Sequence, residues 1–274
     1  MNPILLSLGP VKLYSFGIFL FLAALVGSFV IWREGRNEKV DEEKLIDLLI
    51  NEAIFGLIGA RIYFLVFHFQ DFGVNVFKWL LIFHFPGLDF IGMLFGGLVG
   101  LWFFSRRQEL SFWQLGDMIV LGVAIGESIG RIGAFFSGTA YGTISNLPWA
   151  VPMIGLVGRR QPVQIYEAIV ALIIFISLFK LKKIFAAKKY ISGLILLYYF
   201  LFFGIGRFLI EFLRSDSIYF SDWRVNQIVC LIIIIFSALL LYNRMERSLK
   251  GDLLLIFQKA RKSLSIKKSE NQVI

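Results

Sequence analysis

Sulfur and imidazole are scarce in this chain: one cysteine and two histidines among 274 residues. A single cysteine, Cys230, set in an apolar run, excludes a disulfide framework and a CxxC metal site and reads as a small core residue. No metal-binding motif accompanies His68 and His84, so no metal or other cofactor is expected. A basic leader is also missing, since Met1 to Val11 holds neither Lys nor Arg. The first apolar stretch is longer than the roughly 7–15 residues of a signal-peptide core, so it is expected to be a retained helix. Inverted repeats and paired broken helices, the marks of many transporters, are not evident, and an ion or solute transporter is the weakest reading.

What is present is apolar surface. Hydrophobic residues make up 58%, Phe alone occurs 30 times, and the mean hydropathy is +0.76. A soluble domain of this size has nowhere to bury so much. Apolar runs of about 17–25 residues recur along the chain, each long enough to cross a hydrocarbon core of about 30 Å. The expected fold is all-α: a polytopic membrane protein with about seven transmembrane helices, at roughly 13–32, 46–68, 88–104, 116–136, 163–181, 191–213 and 226–242.

The formal net charge of +9 raises nucleic acid as a partner, but the basic residues are placed otherwise. Alternate connections hold Arg33, Arg36, Lys39 and Lys44, then Arg106 and Arg107, then Lys180, Lys182, Lys183, Lys188 and Lys189, then a tail rich in Lys and Arg. The opposite connections hold few. By the positive-inside rule the rich side is cytoplasmic, which puts the N-terminus outside and the C-terminus inside, with no nucleic-acid partner expected. The chain then divides into a membrane domain, 1–242, and a basic cytoplasmic tail, 243–274, suited to anionic lipid or to solvent.

Several charges fall within the apolar runs: Glu52 and Arg61, Asp117, Glu127 and Arg131, Glu167, then Arg207, Glu211 and Arg214. An ionised group near the bilayer centre costs about 2.5–3.5 kcal/mol on insertion scales, so such residues mark partners, wet cavities or ligand sites. Glu127 with Arg131, and Arg207 with Glu211, stand four apart and can pair along one helix face. On the charge-derived topology Arg131, Arg207 and Arg214 sit in the outer half of the membrane. The planar guanidinium fork matches phosphate oxygens, which makes a lipid phosphate a suitable guest.

Around Arg131 the sequence Gly130-Arg131-Ile132-Gly133-Ala134-Phe135-Phe136-Ser137-Gly138-Thr139-Ala140-Tyr141-Gly142 resembles the signature of prolipoprotein diacylglyceryl transferases, roughly G-R-x-G-N-F-x-N-G-E-x-x-G. Other segments agree in order. Leu13-Tyr14-Ser15-Phe16-Gly17 is similar to the first-helix element, Gly59-Ala60-Arg61 to its G-A-R, and Gly96-Gly97-Leu98-Val99-Gly100 to its G-G-L-I-G. Leu147-Pro148-Trp149, Gln161-Pro162-Val163-Gln164-Ile165-Tyr166-Glu167 and Arg207-Phe208-Leu209-Ile210-Glu211-Phe212-Leu213-Arg214 resemble its L-P-W, H-P-x-Q-L-Y-E and R-F-x-x-E-F-x-R.

The resemblance implies an enzyme of the bacterial inner membrane. It would move the diacylglyceryl group of phosphatidylglycerol to the lipobox cysteine of a prolipoprotein signal peptide, releasing glycerol phosphate. It also implies roles: Arg131 for the phosphatidylglycerol headgroup, Arg207 for catalysis with Glu211 and Arg214 in support, and Gly142, Tyr166, Glu167 and Tyr14 as substrate-binding positions. The chain departs from the family pattern at Phe95, Ala134, Ser137, Thr139 and Gln161, where polar residues or a histidine are usual. A noncatalytic relative that binds lipid or signal peptide is therefore the alternative expectation.

Overall fold

In the computed structural model, residues 3–8, 11–82, 84–186, 191–220 and 222–245 are described. Strands β1 (Ile4–Leu8) and β2 (Val11–Tyr14) form an antiparallel hairpin that leads into α1 (Ser15–Asn37). After α2 (Glu42–Phe67) come two short helices, α3 (Phe69–Phe72) and α4 (Val76–Leu80), then α5 (Phe90–Arg107) and α6 (Phe112–Ser137). The connection to α7 (Val163–Ala186) carries the paired strands β3 (Val151–Pro152) and β4 (Arg159–Arg160). A second hairpin, β5 (Tyr219–Phe220) and β6 (Trp223–Arg224), joins α8 (Leu194–Glu211) to α9 (Val225–Arg244).

Five of these helices, α1, α2, α6, α8 and α9, are long and apolar enough to cross a membrane. Large apolar side chains stay on the surface all round the bundle, Phe21 at 65% exposure, Ile62 at 56% and Phe236 at 62% among them. Contiguous apolar surface on this scale is untenable in water, where the largest patch on a soluble monomer spans only about 300–600 Å². The protein is a polytopic membrane protein. The helices run past the expected spans at one end, α1 to Asn37, α5 to Arg107 and α7 to Ala186. An apolar window detects only the hydrocarbon-matched part of a helix, and backbone hydrogen bonding continues through the polar turns beyond it.

That polar end is tied by charge. Lys182 of α7 reaches Glu34 of α1 at 3.0 Å and Glu38 at 3.1 Å, and Gln114 of α6 donates to Glu38 at 3.3 Å. Asp117 of α6, fully buried, accepts from the backbone N–H groups of Gly193 at 2.5 Å and Leu196 at 2.7 Å. It thereby caps the first turn of α8, whose free N–H groups would otherwise be stranded in the bundle. Its cost as a buried charge is offset there, and its role is architectural. The basic tail falls, from residue 246 onward, outside the described residues.

Close helix contact does the rest of the packing, because lipid supplies no hydrophobic drive between helices. α1 lies against α6 where Gly27 faces Gly122, and a methyl on Gly27 would stand 2.9 Å from the Gly122 carbonyl oxygen. α2 lies against α5 at Gly59, whose added methyl would stand 2.6 Å from the Gly96 Cα. The aliphatic and aromatic core, with Leu121, Ile174, Leu178, Ile195, Tyr199 and Phe203, sits between α6, α7 and α8. These three helices hold the site.

Candidate active site

The end of the bundle opposite the polar turns gathers Glu127, Arg131, Glu167, Arg207, Glu211 and Arg214. α6 presents Glu127 and, one turn later, Arg131, joined at 3.2 Å. α7 begins just after Pro162, and its second turn presents Glu167. α8 ends with Arg207 and Glu211, joined at 3.5 Å, and the chain turns just beyond it at Arg214.

Glu167 is the hub. Its Oε2 meets Arg131 Nη1 at 2.8 Å, while its Oε1 accepts from Arg214 Nη1 at 2.9 Å and from Arg207 Nη1. Three guanidinium groups from separate segments thus converge on one carboxylate that is 3% exposed. Arg214 is further held by Asp216 through two bonds, 3.0 Å from Nε and 2.6 Å from Nη2. Glu211 is fully buried, and Asn226 of α9 donates to it at 3.4 Å. Arg224 donates to the Glu211 carbonyl. The Arg131 guanidinium also lies 5.4 Å over the Phe90 ring, a favourable cation–π placement.

A small polar cap closes this end. Residues 141–143 run antiparallel to 213–215, with Thr143 N–H to Leu213 O at 2.9 Å and Ser215 N–H to Tyr141 O at 3.0 Å. The other edge meets 159–161, through Ser145 N–H to Arg159 O at 2.9 Å and Gln161 N–H to Thr143 O at 3.1 Å. The segment between α6 and α7 is therefore a strand network that fixes Arg214. Gly142 lies at its crossing: a methyl there would stand 2.5 Å from the Gln161 carbonyl oxygen. Gln164, fully buried, braces the cap by donating to the carbonyls of Thr139 at 3.2 Å and Ala140 at 2.5 Å.

Of the residues singled out from sequence, Arg131, Glu167, Arg207, Glu211 and Arg214 are brought together, and Gly142 is bridged to Arg214. Tyr166 adjoins Glu167 but turns to the cap, where Trp149 Nε1 donates to its hydroxyl at 2.6 Å. Tyr14 stands apart at the head of α1, 57% exposed. Arg61 is elsewhere too. Buried on α2, it donates to the carbonyls of Trp79 at 2.9 Å, Lys78 at 2.6 Å and Gly87 at 2.9 Å, and so clamps the segment carrying α4 onto the bundle.

His68 bonds the Phe64 carbonyl at 2.9 Å and stacks on the Phe64 ring, a structural role. Asp216, Asn226 and Arg224 were not legible in advance. Only the proximity of Asp216 to Arg214 in sequence hinted at any of them.

Chemically, Arg207 lines a small buried recess with Glu127 and Glu167, and Arg131 and Arg214 reach the same carboxylate of Glu167. Guanidinium donors held in place by ion pairs need no reorganisation when negative charge develops beside them. The carboxylates of Glu127, Glu167, Glu211 and Asp216 balance the guanidinium charge.

Apolar helices around a buried arginine–carboxylate cluster define an integral membrane protein with a charged site at one end. The chain belongs to the prolipoprotein diacylglyceryl transferase family, whose model matches residues 3–243. It is 31% identical over 234 residues to the phosphatidylglycerol–prolipoprotein diacylglyceryl transferase of Clostridioides difficile, covering 85% of this chain and 91% of that protein. Proteins of the same name from Finegoldia magna, 28% identical over 92% of this chain and 99% of theirs, and from Synechococcus elongatus, 30% identical over 87% and 86%, are also similar. The resemblance read from the motifs is thereby borne out.

Proposed function

We propose that this protein transfers the diacylglyceryl group of phosphatidylglycerol to the lipobox cysteine thiol of a prolipoprotein, the first step of lipoprotein maturation. The observation that carries this reading is the convergence of Arg131, Arg207 and Arg214 on Glu167 at one end of the bundle. The names of its similar proteins supply the substrates.

In the reaction the thiol loses its proton, sulfur attacks the terminal glyceryl carbon, and the carbon–oxygen bond to phosphate breaks. The electron pair leaves with glycerol phosphate. Arg131 binds the headgroup phosphate and Arg207 stabilises the leaving anion, displacing Glu167 from the fork as charge develops. Glu211 and Arg214 hold Arg207 in place. Gly142 and Tyr166 shape the cap over the headgroup, and Tyr14 meets substrate from the lipid side.

All seven long helices cross the bilayer of the bacterial inner membrane, N-terminus outside, so the cluster faces the outer leaflet. The positive-inside distribution of Lys and Arg supports this orientation. The basic segment 243–274 lies in the cytoplasm.

A mass-spectrometric transfer assay tests the reading. Protein in phosphatidylglycerol vesicles, given a precursor peptide with a lipobox cysteine, should add a diacylglyceryl mass to that cysteine and release glycerol phosphate. Phosphatidylglycerol binding without mass gain would favour a noncatalytic relative, a reading that Phe95 and Ala134 at usually polar positions support.

A further inference from the structure

The transfer reaction needs a group to take the proton of the substrate thiol, and neither histidine stands where it could serve. His68 is bonded to the Phe64 carbonyl and stacked on its ring, and His84 is exposed in the segment that follows α4. Phe95 and Gln161 occupy positions where polar residues or a histidine are usual in the family pattern. That leaves the carboxylates of the cluster.

Geometry separates them. A cavity of about 20 Å³ is lined by Glu127 of α6, Glu167 of α7 and Arg207 of α8, together with apolar side chains that include Ile174 and Phe203. A space of this size holds one small group, a water or a thiol, since a single water needs about 10–15 Å³. Glu211 and Asp216 do not line it. Of the two carboxylates that do, Glu167 is held by three guanidiniums, one through Oε2 and two through Oε1. Glu127 is held by one: its Oε1 stands 3.2 Å from Arg131 Nη2, and its Oε2 accepts no hydrogen bond among the described residues. A proton taken up by Glu127 weakens one ion pair, whereas on Glu167 it would weaken three. Glu127 also lies one helical turn from Arg131, so a thiol and a headgroup phosphate approach neighbouring turns of α6.

We propose that Glu127 is the proton acceptor for the lipobox thiol, acting beside Arg207 in one cavity; the assignment rests on the transferase reading above. The sulfur enters the cavity, the S–H bond breaks and its proton passes to Oε2 of Glu127. The electron pair left on sulfur is held by the Arg207 guanidinium, since nearby positive charge favours a thiolate. Sulfur then bonds to the terminal glyceryl carbon as the carbon–oxygen bond to phosphate breaks. Glycerol phosphate departs as a monoester dianion and takes the proton from Glu127. The carboxylate is thereby restored, and no other reactant is consumed.

Glu127→Gln keeps an oxygen for Arg131 and removes the basicity. Single-turnover transfer to a lipobox-cysteine peptide at neutral pH should fall by about 100-fold or more, the usual worth of a general base. A selenol is already ionised at neutral pH, so the same peptide with reduced selenocysteine in place of cysteine needs no base. The variant should transfer to it within about three-fold of the parent rate. Transfer to the cysteine peptide should also recover as pH rises towards the thiol's own range of about 8.5, where solvent removes the proton. A structural role for Glu127 predicts the same loss with both peptides at every pH; that result, or an unchanged rate with cysteine, overturns the assignment. If Glu127→Gln does not fold, Glu127→Asp answers the same question. It keeps the charge beside Arg131, withdraws the carboxylate by one methylene, and should lose transfer to cysteine while keeping transfer to selenocysteine. A parent protein that transfers to neither peptide sinks the transferase reading and the assignment with it, whereas an active parent with equal losses in the variant rejects Glu127 alone.

Discussion

Glu167 of α7 and Arg131 of α6 form an ion pair at 2.8 Å in which the carboxylate is 3% exposed, so two helices are joined by a charge pair almost removed from solvent. The same carboxylate serves Arg207 and Arg214, and its removal would leave three guanidiniums without a common partner. Breaking a buried pair costs about 3–5 kcal/mol because the remaining charge is stranded. Glu167→Gln should therefore lower the melting midpoint by several degrees and transfer by at least ten-fold, read by thermal unfolding in detergent and by the mass-spectrometric assay. A variant as stable and active as the parent would deny Glu167 its central place.

Arg207 offers a sharper chemical test. Removing one donor to a developing anion costs about 100- to 1,000-fold in kcat. Arg207→Ala should fall at least that far, and Arg207→Lys should recover little, since an ammonium cannot serve Glu167, Glu211 and a phosphate from one planar fork. Single-turnover transfer rates decide between loss and retention.

Gly142→Ala tests the cap. The added methyl would stand 2.5 Å from the Gln161 carbonyl oxygen and 2.9 Å from Val163 Cγ1, so the strand carrying the bridge to Arg214 must shift. Misplacing a catalytic group by about 1 Å can cost about 100-fold. Transfer should drop far more than stability does, and a comparison of kcat/KM with the melting midpoint separates the two.

Asp117 should behave in the opposite way. Losing its bonds to the N–H groups of Gly193 and Leu196 removes the cap of α8. A cap is worth about 0.5–2 kcal/mol. Asp117→Ala should unfold several degrees earlier, while transfer per folded molecule stays near the parent value. A large fall in the specific rate of the folded fraction would contradict a purely architectural role.

Orientation can be checked with cysteines in a Cys230→Ser background, since the native thiol is buried. A membrane-impermeant maleimide added to intact spheroplasts should label Lys78→Cys and spare Arg106→Cys, and permeabilisation should expose the second. The reverse pattern would invert the proposed topology.

Much of the architecture was legible in the sequence because a bilayer imposes a length and a polarity that local composition records. Expected spans such as 116–136 and 163–181 fall inside α6 (Phe112–Ser137) and α7 (Val163–Ala186). The pairs Glu127–Arg131 and Arg207–Glu211 were also visible, because four-residue spacing places both partners on one helix face. The capping role of Asp117 was not visible, because the N–H groups it accepts from lie 76 and 79 residues away. Nor did spacing show that Arg61 holds the carbonyls of Trp79 and Gly87 and stays out of the cluster.

The sequence by itself determined that this is a membrane protein, where its helices lie and which family it belongs to, since hydropathy, charge bias and motif are properties of neighbours along the chain. Tertiary structure decided that Glu167, one carboxylate among several, is the common partner of three arginines. That convergence depends on how α6, α7 and α8 close around a shared core. Contacts of that kind join residues dozens of positions apart, and only the packed bundle brings them within hydrogen-bonding or electrostatic reach.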